Sequence, residues 1–495
     1  MYKKNPLILP GIIFFLILTG FFSFHQEALS GRHDGIDTAF AESTNSRPFG
    51  VFNDMVVEKG GLSIQEALEL GNQRTRLILH WKMVEPRKGK FNFALVDRVI
   101  DMHHKLGIKP LVTIRCISKW GTKRPSAKDR SAPPRDMSTY RRFIRKVASR
   151  YKGKVGYWQI ENEVYDTTLG NSKFWNGTKE EYIELLKNAY DEIKKADPGA
   201  NVVMAGFANV IFREIDRGNG KIKSFFEYLM NKGGNYCDTV DFHQYYEPDT
   251  VYNEVKILRD TMKKMGLKKE VISTEAGDLD IRLFPKHILH PEKPIPVVQK
   301  FLAIPDVRNK IKQLKKNKIT PDELVEFAIF LKKNPRSGPI LEKYQAENLV
   351  KRYCISLSQG VSQIYWVWMR DQEKPIDWFF GSMCLQDTDG RKKPHFWTYK
   401  LLILKLENFR RVKEIKNKTG AKIFRFDMAK GSPKYILWSD NGRKKLDISS
   451  LVSGSKVKIT RIITQRGKTI RDVKTKTVSP KSIILDETPV FVEYR

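Results

Sequence analysis

Two glutamates, Glu161 and Glu163, close the apolar run Val155–Ile160, with Asn162 between them. A third, Glu275, follows the apolar run Glu270–Thr274, and His243-Gln244-Tyr245 lies between these stretches in the chain. Two carboxylates at one site can share acid–base work if one holds a proton while the other stays ionised. A nearby cation or hydroxyl donor, such as Arg76 or Tyr245, would hold the ionised one charged. Val155–Ile160 is short and aromatic-rich, as a buried strand is. Side chains alternate along a regular strand, so Glu161 and Glu163 cannot both face one site. Parity sends Glu161 to the helix side, toward a salt bridge, and leaves Glu163 for chemistry.

The elements that would position these groups follow a repeating order, apolar strand then amphipathic helix. Strands are expected at Phe49–Phe52, Thr75–Trp81, Pro110–Ile114, Val155–Ile160, Val202–Gly206, Thr239–His243, Glu270–Thr274 and Gln363–Trp368. Helices are expected to start at Ser63, whose Ser63/Glu66 spacing is that of a capping box, and to cover Phe93–Leu106, Met137–Tyr151, Lys179–Ala196 and Ile222–Asn231. Eight such units fit a parallel (β/α)8 TIM barrel, which keeps its chemistry at the C-terminal ends of its strands. A doubly wound sheet is the rival, but no glycine-rich phosphate loop follows the first strand.

Two segments break the rhythm. Residues 278–342 stand where a short loop should follow strand seven, and they read as helices, one over Asp306–Lys318 and one capped by Thr320-Pro321-Asp322-Glu323. Leu324, Val325, Ala328, Ile329 and Leu331 form an apolar stripe there. Because they follow strand seven, these residues would form a basic cover over the mouth. From residue 407 the pattern alternates with period two, the mark of a small antiparallel, β-sandwich-like domain.

With the strands placed, a resemblance becomes specific. Trp81-x-x-x-Glu85-Pro86-x-x-Gly89-x-Phe91, Asn162-Glu163, His243-x-Tyr245, Ser273-Thr274-Glu275 and the strand-eight tryptophans Trp366 and Trp368 fall in the order seen in glycoside hydrolase clan A. The chain resembles that clan over residues 49–405, nearest to families 39 and 42. The resemblance implies a retaining β-glycosidase with Glu163 as acid/base and Glu275 as nucleophile. It implies sugar contacts from Asn162, to the 2-hydroxyl, from His243 and Tyr245, and from Trp366 or Trp368. By parity the last two share a face, Trp368 nearer the mouth. Arg76, Trp81 and Trp120 complete the substrate-side set, although Trp120 serves packing equally well. No metal or organic cofactor is expected. The rivals are an endo-acting glycanase of the clan and a non-catalytic glycan- or polyanion-binding barrel.

Composition fits this picture. The chain has 495 residues, is 41% hydrophobic, and carries a net charge of +33, enough for a barrel with a second domain. Lys3 and Lys4 before the apolar Leu7–Phe24 read as an export signal within a leader over residues 1–41, with cleavage after Ser30 or Ala41, or with an uncleaved membrane anchor. Cys116, Cys237, Cys354 and Cys384 show no metal spacing, and isolated buried thiols are expected over one disulfide. Residues 407–495 hold 22 Lys+Arg against 9 Asp+Glu. In an exported chain this points to an anionic envelope or acidic polysaccharide as a contact, and not to nucleic acid, for which no module is visible.

Overall fold

The apolar runs become eight short parallel strands: β1 (Phe49–Phe52), β2 (Arg74–His80), β3 (Lys109–Arg115), β4 (Tyr157–Ile160), β5 (Asn201–Val203), β6 (Thr239–Gln244), β7 (Glu270–Ala276) and β8 (Ile364–Val367). Each pairs with the next, and β1 pairs with β8, Val51 opposite Trp366, so the sheet closes into a barrel. The computed structural model describes residues 48–52, 60–124, 130–164, 174–245, 247–278, 296–314, 320–371 and 383–494. The expected leader over residues 1–41 lies outside them.

Alternation along the strands sorts the barrel's two faces. Val51, Leu77, Leu79, Val112, Ile114, Trp158, Val240 and Phe242 turn outward into one core with the helices. Leu111, Val203, Ile272 and Tyr365 fill the interior as a separate plug. Gly50 makes room for that plug, because a Cβ there would lie 2.5 Å from the Tyr365 ring. The helices bury their apolar stripes on the outer face. The Lys179–Ala196 helix, held by a reciprocal Thr178–Glu181 capping box, buries Tyr182, Leu185, Leu186, Ala189 and Ile193.

Three boundaries differ from expectation. The first helix runs from Gly60 to Leu70, so Ser63 lies inside it and Glu66 pairs with Arg370 instead of closing a cap. Trp81 does not extend β2: it opens a single helical turn, Trp81–Val84. Strand β5 stops at Val203, leaving Gly206 in the loop above it. All four cysteines are buried, and no disulfide joins them among the described residues. Among the described residues no helix is long and apolar enough to cross a membrane.

After β7 come the helices Pro296–Leu302, Pro305–Leu314 and Pro321–Lys333, then the long Ser337–Ser358 helix. The insertion buries Phe301, Val307, Ile311, Phe327 and Leu331. Of the expected stripe, Leu331 is buried and Ile329 half-buried, and the stacked pair Phe327–Phe330 runs alongside them. Lys300 and Lys343 both pair with Glu487, which ties the insertion and the long helix to the C-terminal strands.

Those strands form a six-stranded antiparallel sheet and a separate two-stranded ribbon, Lys444–Leu446 with Ile483–Leu485. One face of the sheet carries Ile423, Tyr435, Leu437, Val457 and Val492 onto the ribbon. The alternate residues Phe424, Phe426, Ile436, Trp438 and Phe491 join the barrel's outer core. The junction is clamped by Thr398 of the Pro394–Leu406 helix, whose hydroxyl donates to the Ile463 carbonyl (2.6 Å) and accepts from the Ile463 N–H (3.0 Å). Thr398→Val keeps the shape but leaves two buried backbone groups unpaired, so it should cost about 2–4 kcal/mol. Urea unfolding checks this, and a loss below about 0.5 kcal/mol would show that water replaces the clamp freely.

Candidate active site

Strand β4 ends at Ile160, and the backbone then turns left-handed at Glu161 (φ 71°) and Glu163 (φ 42°). Non-glycine residues rarely hold this conformation, and it clusters where side chains must be aimed against the regular pleat. Glu161 points away from the mouth. Fully buried, it accepts from the Cys116 N–H (2.5 Å) and from Arg115 (3.0 Å). Burial pushes its carboxyl up, against the pull of Arg115. Glu163 turns inward, and its Oε1 lies 2.6 Å from His243 Nδ1.

Glu275 stands across the mouth at the end of β7. Arg76 Nη1 donates to its Oε1 at 2.6 Å, the Tyr245 hydroxyl donates to its Oε2, and His243 Nδ1 lies 3.5 Å from the same oxygen. Burial alone would raise its carboxyl, but His243, Arg76 and Tyr245 together hold it below the usual carboxylate range. Burial pushes the Tyr245 phenol well above its ordinary value, and the Glu275 charge adds to this, so Tyr245 stays a donor. For His243, burial acts downward, but the charge of Glu275 and the hydrogen bonds of Asp241 and Glu163 outweigh it and raise the imidazole to about 10. It is therefore an imidazolium at neutral pH, set between the two glutamates.

Arg76 organises this floor. Fully buried, it also donates from Nε to Thr113 (3.0 Å) and from Nη2 to Gln159 (2.9 Å) and Asn162 (2.6 Å), and its guanidinium lies 4.6 Å over the Phe52 ring. Below it, Asp241 Oδ1 accepts from the Thr274 N–H (2.7 Å), and Oδ2 accepts from the Thr274 hydroxyl (2.6 Å) and Gln159 (2.5 Å). Thr113, Gln159, Asp241 and Thr274 were not anticipated. Their signal was a polar residue at a buried strand position, which is costly unless it is paired.

The structure thus brings Glu163, Glu275, Arg76, Asn162, His243 and Tyr245 together. Trp368 joins them at the mouth, packed with Phe52 and Tyr245. Trp366 does not. It is fully buried on the outer face, its indole donating to the Met383 carbonyl beside His395. The two tryptophans do not share a face because the regular strand ends at Val367, before Trp368. Trp81 is also core: fully buried, it stacks on Phe143 and donates to Glu85 Oε2 (2.8 Å). Glu85 Oε1 accepts from the Gly89 N–H (2.7 Å), so the Trp81-to-Gly89 spacing staples a loop and does not make a sugar platform. Trp120, half-buried, packs edge-on against Trp81 and donates to the Glu85 carbonyl. Asp278 is buried at the start of the insertion and accepts from Asn348.

Donor atoms of Glu163, His243 and Glu275 all lie within 4.8 Å of one another. That spacing could suit an ion, but the imidazole nitrogen concerned is occupied by Glu163 and the Glu275 oxygens by Arg76 and Tyr245. The cluster is a charge and proton network, with the positive charge already supplied. A cavity of about 560 Å³ in the C-terminal sheet, lined by Ile459, Arg461, Lys468, Lys474, Lys476 and Ile484 among others, contains none of these residues.

A closed parallel barrel with paired glutamates after β4 and β7 is the arrangement that the resemblance to glycoside hydrolase clan A implies. Residues 77–277 match the family model described as glycosyl hydrolases family 39. The chain is 29% identical over 216 residues to a beta-xylosidase of Caldicellulosiruptor saccharolyticus, covering 42% of this chain and 39% of that one. It is 26% identical over 180 residues to endo-1,4-beta-xylanase 2 of Claviceps purpurea, covering 34% of this chain and 50% of that one. The matches thus span half or less of these relatives. Among solved structures, a family 39 glycoside hydrolase from Bacteroides cellulosilyticus WH2 shares the fold, with TM-score 0.61, 16% identity, and coverage of 90% of this chain and 81% of that one. A monomeric beta-xylosidase from Caulobacter crescentus CB15 does so with TM-score 0.54, 13% identity, and coverage of 90% and 95%.

The depressed Glu275 has a consequence for stability. A carboxyl lowered in the folded state stabilises the protein above its unfolded value, about 4.3, and that gain is lost as pH falls through the folded value. Tyr245→Phe removes one cause of the lowering, so Glu275 should protonate at higher pH. The stability gap between parent and variant should be constant above about pH 5 and shrink on acidification. Urea melts across that range test this, and a gap independent of pH would deny Tyr245 its part in holding the charge.

Proposed function

We propose that the protein is an exported retaining β-glycosidase, with Glu163 as acid/base and Glu275 as nucleophile. The observation that carries the reading is the approach of their carboxylate oxygens to within 4.8 Å. Retention needs carboxyl groups about 5–5.5 Å apart, whereas inversion needs about 6.5–9.5 Å to seat a water between sugar and base. Glu275, kept charged by Arg76 and Tyr245, attacks the anomeric carbon while Glu163 protonates the leaving oxygen. The glycosyl-enzyme is then hydrolysed by water that Glu163 deprotonates. His243 Nδ1, 2.6 Å from Glu163 Oε1, orients the acid/base. Asn162 has its carbonyl oxygen engaged by Arg76, leaving its amide nitrogen to donate to a sugar hydroxyl, and Trp368 offers an apolar wall. β-Xylosides are the first substrates to try, given the names of the relatives above. Export rests on the Lys3-Lys4 and Leu7–Phe24 pattern.

On nitrophenyl β-xyloside and its neighbours, NMR of the first-formed sugar should show the anomer retained. Glu275→Ala should form no glycosyl-enzyme. Glu163→Ala should lose about 10²–10⁴-fold on substrates with poor leaving groups, but little on activated ones, where azide should restore turnover. Equal losses for both variants on both substrate types would refute this division of roles.

A second reading, polyanion binding beside catalysis, is favoured by the C-terminal cavity. Its aliphatic floor is rimmed by Arg461, Lys468, Lys474 and Lys476 against one acid, Asp472. If it contributes, replacing Lys474 and Lys476 by Glu should lower the salt needed to elute the protein from an immobilised polyuronate. Unchanged elution would remove the cavity from consideration.

A further inference from the structure

The two glutamates and Arg76 do not explain why a third carboxylate, Asp241, lies fully buried beneath them. Burying a carboxylate is costly unless the fold pairs it fully. Asp241 is bound on three sides, and each side leads to a different part of the catalytic set. Through the Thr274 N–H and hydroxyl it holds the residue next to Glu275. Through Gln159, which also accepts from Arg76, it reaches the cation that pairs with Glu275. Its Oδ2 lies 3.5 Å from His243 Nε2, on the far side of the ring from Glu163.

The surrounding backbone is shaped to this contact. The register between β6 and β7 shifts between Asp241 and His243, so that His243 comes opposite Glu275. Gly206 leaves the necessary space. A Cβ there would lie 2.2 Å from His243 Nε2 and 2.5 Å from Asp241 Oδ2, between the two groups.

We propose that Asp241 is a positioning residue: it orients the His243 ring with Nδ1 toward Glu163 and anchors β7 under the nucleophile. This rests on the glycosidase reading, but the ring titration can be observed without turnover. The groups facing the His243 ring are Glu163 after β4, Glu275 and Thr274 on β7, and Asp241 on its own strand, with Tyr245 next along. Arg76 acts on this set through Glu275 and Gln159. Removing the Asp241 charge leaves one fewer anion to favour the imidazolium, so the ring should lose its proton at lower pH.

The test is a 15N NMR titration of the full-length protein labelled at its nine histidines, with the His243 signal assigned from a His243→Gln variant. In Asp241→Asn the His243 midpoint should fall by about one unit or more. With an active β-glycoside, kcat should drop roughly 10- to 100-fold with little change in KM, the scale typical of outer partners that fix an imidazole. Gly206→Ala keeps every charge but wedges the two groups apart, so it should lower the midpoint too, which gives a second reading if Asp241→Asn does not fold. An unmoved midpoint in a folded variant would overturn the proposal and reduce Asp241 to packing. A lowered midpoint in a protein that cleaves no glycoside would keep the positioning of His243 and discard the glycosidase reading instead.

Discussion

The site depends on one buried cation. A guanidinium taken wholly out of water is tolerated only if its N–H groups are met and its charge is balanced. Arg76 reaches that state by spanning strands: Thr113 on β3, Gln159 on β4, Asn162 just beyond it and Glu275 on β7 all accept from it. The interaction works both ways. Glu275 balances the arginine, and the arginine keeps Glu275 ionised in a place where burial would otherwise neutralise it. A planar fork suits this task because it can hold acceptors on several strands at fixed angles, which a lysine ammonium would not do. The floor of the site is braced across strands by the same contacts that make it charged.

Much of this was legible in the chain. The eight strands showed as apolar runs because a parallel barrel buries both faces, and apart from β5, which stops three residues early at Val203, their ends moved by only a residue or two. Glu163 and Glu275 stood out as acids at strand ends, where an apolar run should give way to a turn. The assignment of Glu161 to a helix-side ion pair came from parity, and the structure places it against Arg115, although through two left-handed residues and not a regular pleat. Thr113, Gln159 and Asp241 stayed hidden for a physical reason. A single buried polar residue leaves no periodic trace, and its partners are 46 and 82 positions away in sequence.

The tryptophans show the opposite error. Residue type and place in the chain suggested platforms for a sugar at Trp81, Trp120 and Trp366. What decides an indole's role, however, is where its N–H finds an acceptor once it is buried. For Trp81 that acceptor is Glu85, for Trp120 the Glu85 carbonyl, and for Trp366 the Met383 carbonyl. Trp81 and Trp366, both fully buried, are thereby committed to holding loops, while half-buried Trp120 keeps part of its ring exposed. The loop from Trp81 to Gly89 is conspicuous in sequence because two of its residues hydrogen-bond one buried carboxylate, not because it touches a ligand.

The C-terminal sheet and the insertion matter to the site through the helix Ser337–Ser358 between them. On it Tyr344 donates to Glu247 (2.6 Å) and Asn348 to Asp278 (2.9 Å), each acceptor a few residues beyond β6 or β7. Beside Tyr344, Lys343 meets Glu487, and further along Lys351 pairs with Asp440 of the sheet (2.6 Å). One rigid helix therefore spans from the loops after β6 and β7 to the outer domain. Loops are the mobile part of most barrels, yet here Glu247 and Asp278 are held by a helix that is itself held by a second sheet. A domain remote from the chemistry can in this way limit how far Tyr245 and Glu275 drift, and so protect the short separation on which the carboxylate pair relies.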